Sequence, residues 1–248
     1  MSVMHGRRRQ RPIAVFQHTE VGAPGAVVPV LRALGREVVV IRIVDGEPVP
    51  PDPSVYGALV FMGGYMSAHD PVPWIAQELT LMRMADKAGV PMAGHCLGSQ
   101  LLALALGGEV RPNDRPEIGW CEIESASSAE AQAWWGPHAG RQLPTFQWHG
   151  EVFTPPSGSV QIASGEHCAN QVVIVHDRHL LVQSHLEMTP GLVALSLRRN
   201  GYQLARQNAS GNPACSPLEE VGHDLRSRTD AMHVLLRQLY TRWAEAWV

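Results

Sequence analysis

The residues whose spacing carries the most chemistry are Gly94, Cys96 and Gly98, within Gly94-His95-Cys96-Leu97-Gly98-Ser99-Gln100. The apolar run Val90 to Ala93 leads into them, and the helix-forming run Leu101 to Leu106 leads away. Gly-x-Cys-x-Gly between a strand and a helix has the pattern of a nucleophile elbow, with sulfur in place of a serine hydroxyl. Such a turn holds one side chain in a strained, exposed position, and the flanking glycines let strand and helix approach without Cβ clashes. A thiol at a helix N-terminus feels the positive end of the macrodipole, which favours the thiolate. The N–H of Leu97 is left to face a developing oxyanion. The alternative is an inert buried cysteine, common for free thiols. The agreement of strand, turn and helix signals favours the elbow.

A nucleophilic cysteine needs a base, and the base needs an orienting group. The chain has 12 histidines, so position must choose among them. His185 ends the strand-like run Leu180-Leu181-Val182-Gln183-Ser184, and Glu187 lies two residues on. In an extended segment these two side chains point to the same side, so the carboxylate can hold the imidazole tautomer. A surface His-x-Glu pair fits the same spacing. His149, in Gln147-Trp148-His149-Gly150-Glu151, reads either as a structural histidine or as a pocket wall. His176 and His179 form an H-x-x-H in an expected hairpin turn. Zinc there would need two further ligands, and His167-Cys168 is not convincingly placed to supply them, so no metal is expected.

The elements that must position these groups follow from the pattern. Ile13 to Phe16, Val38 to Ile43, Ala58 to Met62 and Val90 to Ala93 read as buried strands. Ala26 to Leu34 and Trp74 to Ala88 read as helices between them. This alternation implies an α/β fold with a parallel sheet and right-handed crossovers. Gly63-Gly64 and Cys96 both follow strands, so they should share the carboxyl edge, where such sheets bind ligands. Ile118 to Ile123, Phe146 to Trp148, Val160 to Ala163, Val172 to Val175 and Leu180 to Gln183 are short strands joined by brief turns, an antiparallel extension. Trp134-Trp135-Gly136-Pro137 reads as a loop, Pro190 to Arg199 as a helix capped by Thr189, and Arg206 to Pro217 as a loop. Asp224 to Trp247 is a long amphipathic helix packed on the same domain. The expected organisation is a basic tail over residues 1–12, a domain over 13–205, and a loop and helix over 206–248.

Composition excludes several classes. The 248 residues are 45% apolar with a net charge of -3, so neither a nucleic-acid partner nor an anionic membrane is implied. The basic run from Arg7 to Arg11 precedes no long apolar segment, so it reads as a solvated tail and not as a secretory signal. Four scattered cysteines point to a reduced, cytoplasmic protein. The only lysine is Lys87, which leaves no P-loop and little scope for Schiff-base chemistry. No cofactor is expected.

Four ordered motifs over about residues 13–200 resemble the class I, or triad-type, glutamine amidotransferase domain. Gly63-Gly64-Tyr65-Met66-Ser67 is similar to its oxyanion loop, and Gly94 to Gln100 to its nucleophile elbow. Trp148-His149-Gly150-Glu151 is similar to its substrate loop, and Gln183-Ser184-His185-Leu186-Glu187 to the end of its triad. The nearest subgroup is the stand-alone, GMP-synthase-like amidotransferases and their γ-glutamyl peptidase relatives. The resemblance implies a flavodoxin-like, doubly wound sheet. It implies Cys96 as nucleophile, His185 as base, Glu187 as orienter, and the N–H groups of Gly64 and Leu97 as oxyanion hole. Gln100, Trp148, Gly150 and Glu151 would hold the amino-acid end of glutamine. His95, Tyr65, Ser184 and Leu186 depart from the family pattern; the family has proline where Leu186 stands. Three functions fit: glutamine hydrolysis feeding ammonia to a synthetase or other acceptor protein, stand-alone hydrolysis of γ-glutamyl peptides or amines, and a non-catalytic regulatory domain.

Overall fold

The computed structural model describes residues 11–247; residues 1–10 of the expected basic tail lie outside the described residues. Strand β1 (Ile13–Gln17), helix α1 (Val27–Ala33), strands β2 (Val38–Arg42) and β3 (Ala58–Phe61), helix α2 (Pro73–Lys87), strand β4 (Met92–His95) and helix α3 (Leu97–Ala105) make up the first half. Strand β5 (Glu109–Ser125), helix α4 (Ala129–Trp135), strands β6 (Gln142–Thr154), β7 (Val160–Ser164), β8 (Val172–Val175) and β9 (His179–Val182), and helices α5 (Pro190–Ala209) and α6 (Leu225–Trp243) make up the second.

All nine strands join one sheet in the order β2-β1-β3-β4-β9-β8-β7-β5-β6. The pairings from β2 to β9 are parallel. This is the flavodoxin-like order, with β9 taking the fifth place. The pairings from β9 out to β6 are antiparallel, the extension read from the short strands. The period of two along β1 divides the core: Ile13 and Val15 pack with α1 on one face, Ala14 and Phe16 with α2 and α3 on the other. Both faces of the parallel half are therefore covered, which is why its strands read as unbroken apolar runs.

Several boundaries differ from expectation. The two tryptophans expected in a loop close α4, which Ser128 caps by accepting from the N–H of Ala131. Seven residues are too few to show a helical period. β5 and β6 run far beyond their apolar centres because they pair as one long ribbon, interrupted by an irregularity between Pro112 and Glu117. α5 continues through Gly201 to Ala209, so residues 206–209 are helix and not loop. Met232, Leu235, Leu236, Leu239 and Trp243 of α6 are buried, packed with α1, α4 and the sheet. Among the described residues, no helix is long and apolar enough to cross a membrane.

Candidate active site

β4 ends at His95, and Cys96 turns the chain with φ 48° and ψ −111°, a conformation forbidden to most L-residues. The turn is tied down. Cys96 N–H donates to the Val182 carbonyl at 2.8 Å, and the Ser99 hydroxyl donates back to the Cys96 carbonyl at 2.7 Å. The flanking glycines have a steric role. A Cβ on Gly98 would lie 2.0 Å from the Phe61 carbonyl oxygen, and one on Gly94 would lie 2.5 Å from Gly98. Leu97 opens α3, so its N–H has no partner within the helix. The expectation of an exposed thiol is corrected in degree: Cys96 is only 4% exposed, at the floor of a cavity of about 490 Å³.

Gly63-Gly64 follow β3 and pass over Cys96. A Cβ on Gly64 would lie 2.9 Å from Leu97 Cδ2, so the glycine loop packs closely on the Leu97 side chain. His18, just past β1, supports this loop from below. Its Nδ1 lies 2.9 Å from the Met62 carbonyl oxygen and its Nε2 3.0 Å from both Glu78 oxygens, with Trp74 stacked on the ring. Burial opposes the imidazolium, but Glu78 outweighs it and His18 is held above its ordinary value.

His185 and Glu187 follow β9 and meet as the i, i+2 spacing predicts, Nδ1 lying 2.7 Å from Oε1. The Cys96 sulfur lies near the imidazole, 3.9 Å from the Trp148 carbonyl oxygen and 3.9 Å from the Gln183 amide. Burial disfavours the charged ring, but the Glu187 carboxylate and the Cys96 sulfur outweigh it and hold His185 well above its ordinary value. Burial likewise opposes the Glu187 carboxylate. His185 and His95 win, and the carboxyl is held far below its usual range. The backbone on either side of Leu186 is hydrogen-bonded to neighbouring segments. His185 N–H donates to the Phe146 carbonyl at 2.8 Å, and Ala26 N–H donates to the Glu187 carbonyl at 2.9 Å. Leu186 itself is buried in the core.

The remaining expected residues converge on the same cavity. Gln100 Nε2 donates to the Glu151 carbonyl at 2.9 Å, which ties α3 to β6 just after Trp148; the expected substrate loop is strand. The Ser67 hydroxyl donates to the Glu151 carboxylate at 2.9 Å, joining the loop after Gly63-Gly64 to β6. The Trp148 indole donates to Gln203 of α5 at 2.9 Å. Gly150 lines the wall and Tyr65 is exposed at the rim.

Three residues near the site are not legible, or only half legible, in the sequence. His95 reads there only as a departure from the family pattern, yet its Nδ1 lies 3.1 Å from the second Glu187 oxygen. Tyr240 of α6 reaches His95 Nε2 at 2.8 Å. Glu117 of β5 lies 3.0 Å from His149 Nε2, and both are buried. Tyr240 and Glu117 leave no local signal, because their partners are far away in sequence. Among the described residues, two sets of side chains have metal-ligand proximity: Asp86, His176 and His179, and Glu117, His149 and Cys168. In the first, Arg178 lies 2.7 Å from Asp86 and supplies positive charge already. In the second, His149 Nδ1 faces the Glu151 carbonyl at 3.1 Å, while Nε2 lies 3.0 Å from Glu117 without a hydrogen bond.

Comparison with known proteins gives the family and the fold. The family described as "Glutamine amidotransferase class-I" matches residues 25–203. One of the subunits of the glutamine-hydrolysing GMP synthase of Sulfolobus acidocaldarius is 30% identical over 192 residues, 73% of this chain and 92% of that one. A γ-glutamyl-L-1-hydroxyisopropylamide hydrolase from a Pseudomonas species is 27% identical over 183 residues, 68% of this chain and 62% of that one. The crystal structure of a glutamine amidotransferase from Methylobacillus flagellatus superimposes with a TM-score of 0.90 at 33% identity, covering 95% of each chain.

Proposed function

The chain belongs to the class I glutamine amidotransferase family, and from that premise we propose that it hydrolyses the side-chain amide of glutamine through a thioester on Cys96, releasing ammonia for a separate acceptor protein. The observation that carries this reading is the meeting of Cys96, His185 and Glu187 beneath one cavity, from two strand ends at the same sheet edge.

His185 takes the proton of the Cys96 thiol, and the sulfur attacks the carboxamide carbon. The N–H groups of Gly64 and Leu97 stabilise the oxyanion of the tetrahedral adduct. Collapse breaks the C–N bond, and His185 returns its proton to the leaving nitrogen, which departs as ammonia. Water, deprotonated by the same imidazole, then attacks the thioester; glutamate leaves and the thiol is restored. Glu187 keeps the reacting nitrogen of His185 aimed at sulfur throughout. Gln100 and the backbone of Trp148, Gly150 and Glu151 hold the amino-acid end. The Sulfolobus relative is by name one part of a multi-subunit synthase, which supports an acceptor protein.

A second reading has its own support. The cavity continues past the sulfur along α5, where Ser196, Asn200 and Gln203 line one helical stripe. That space suits the leaving group of a γ-glutamyl peptide or amine, the class named for the Pseudomonas relative. The experiment is product release by the purified chain from glutamine and a panel of γ-glutamyl peptides and amines, with and without a synthetase partner. Preference for glutamine, stimulated by the partner, is expected. A tenfold or greater preference for larger γ-glutamyl compounds, with no effect of a partner, transfers the conclusion to the second reading. No release from any of them by folded protein rejects both.

A further inference from the structure

Glu187 is contacted on both oxygens. Oε1 accepts from His185 Nδ1 at 2.7 Å, and Oε2 lies 3.1 Å from His95 Nδ1, a close ion-pair contact in which neither atom has a hydrogen-bond partner. The far nitrogen of His95, Nε2, lies 2.8 Å from the Tyr240 hydroxyl. All of these side chains are buried, and His95 and Tyr240 are fully so. A phenol can donate to Nε2, which leaves the imidazole proton on Nδ1, facing the carboxylate. A line of buried polar contacts then runs from α6 through His95 and Glu187 to His185.

We propose that His95 and Tyr240 are a positioning pair that fixes the Glu187 carboxylate and, through it, the reacting nitrogen of His185. The proposal rests on the catalytic reading of Cys96, His185 and Glu187. A carboxylate held by one oxygen can rotate about its terminal torsion and carry its imidazole partner with it. A second imidazole held 3.1 Å from the other oxygen restricts that freedom. The need for it is local to this chain: Leu186 replaces the ring that would have set the backbone φ between His185 and Glu187. The pair also gives α6 a role at the site, since Tyr240 reaches His95 across 145 residues of sequence.

The test is steady-state kinetics of Tyr240→Phe, His95→Leu and His95→Asn, with melting temperatures measured alongside. Tyr240→Phe keeps the buried ring and removes only the hydroxyl. It should lower kcat by roughly tenfold or more with KM unchanged, the scale seen when an outer partner of a reacting group is lost. His95→Leu should lose more. His95→Asn, which still presents an N–H at the position of Nδ1, should recover part of that loss. In a Glu187→Gln background, adding Tyr240→Phe should change kcat by less than about twofold, because the group it positions has already been changed. A merely structural pair would add its loss in full in that background, and His95→Asn would give no rescue. Either result overturns the proposal, as does Tyr240→Phe with kcat within about twofold of wild type. The catalytic reading is judged separately by Cys96→Ala, which must abolish turnover whatever these variants do.

Discussion

Two cysteines in this fold sit beside a histidine and a glutamate, and the two clusters behave differently. Cys96 has His185 and Glu187; Cys168 has His149 and Glu117. Each thiol residue is 4% exposed, so accessibility does not separate them. Backbone conformation does. Cys96 stands on a strained turn at the start of a helix, whereas Cys168 lies in a loop between β7 and β8. His185 has Glu187 on Nδ1 and the Cys96 sulfur close by. His149 has the Glu151 carbonyl on Nδ1, and its Nε2 lies 3.0 Å from Glu117 without a hydrogen bond. Burial, with Glu117 adding to it, pushes the Cys168 thiol up to about 12. On the proposed reading, the same three residue types make a nucleophile where a strained turn and a helix end coincide.

The largest expected difference is between the two sulfurs. Cys96→Ala should reduce turnover roughly ten-thousandfold or more, while Cys168→Ser should stay within about twofold. Product release, with circular dichroism confirming the fold, measures both; comparable losses would erase the distinction.

The two histidines should separate next. His185→Gln should cost roughly a thousandfold in kcat, because it removes the base. His149→Gln should act mainly on KM, since His149 contacts the Glu151 carbonyl that Gln100 also holds. A kcat collapse in His149→Gln would place that residue in the chemistry instead.

Two glycines sharpen the contrast in stability. Gly98→Ala puts a Cβ 2.0 Å from the backbone oxygen of Phe61, with an expected loss of about 1–3 kcal/mol or more. Gly165→Ala, beside Cys168, meets its nearest atom at 3.2 Å and should cost well under that. Chemical denaturation of both variants decides.

The smallest effect is the pH dependence of stability. His185 is raised above its ordinary 6.5, so its contribution is complete below that value and fades as pH rises through the raised one. Glu187 is lowered from 4.5, so its contribution is complete above that value and fades as pH falls through the lowered one. The melting-temperature gap between wild type and Glu187→Gln should therefore be widest between about pH 4.5 and 6.5 and narrow above it. Cys168→Ser should show no such dependence, because a thiol held near 12 stays protonated throughout.

The parallel half and the elbow were legible because their signals are local. Val-rich and Ala-rich runs alternate with helical periods, and Gly-x-Cys-x-Gly is a turn written in five residues. The strand period allowed His185 and Glu187 to share one side, but a surface pair fitted the same spacing, and both residues lie past the end of β9 at Val182. The polar partners beneath the site were not legible. Glu78 reaches His18 across 60 residues and Glu117 reaches His149 from the neighbouring strand, each from a run whose periodicity says only that the position is buried. Tyr240 lies on the apolar face of α6, where its ring packs as core and its hydroxyl gives no sign of a partner. The two cysteine clusters are the sharpest case: neither carries a sequence signal for which ring nitrogen faces sulfur.

The central claim is that Cys96 carries a γ-glutamyl thioester during turnover. Acid quenching of the chain with glutamine or a γ-glutamyl substrate, followed by peptide mass spectrometry, tests it directly. The account predicts a glutamyl adduct on the Cys96 peptide that hydroxylamine removes, absent from the Cys168 peptide and lost in Cys96→Ala. Turnover that persists in Cys96→Ala, or an adduct on a different residue, would contradict it.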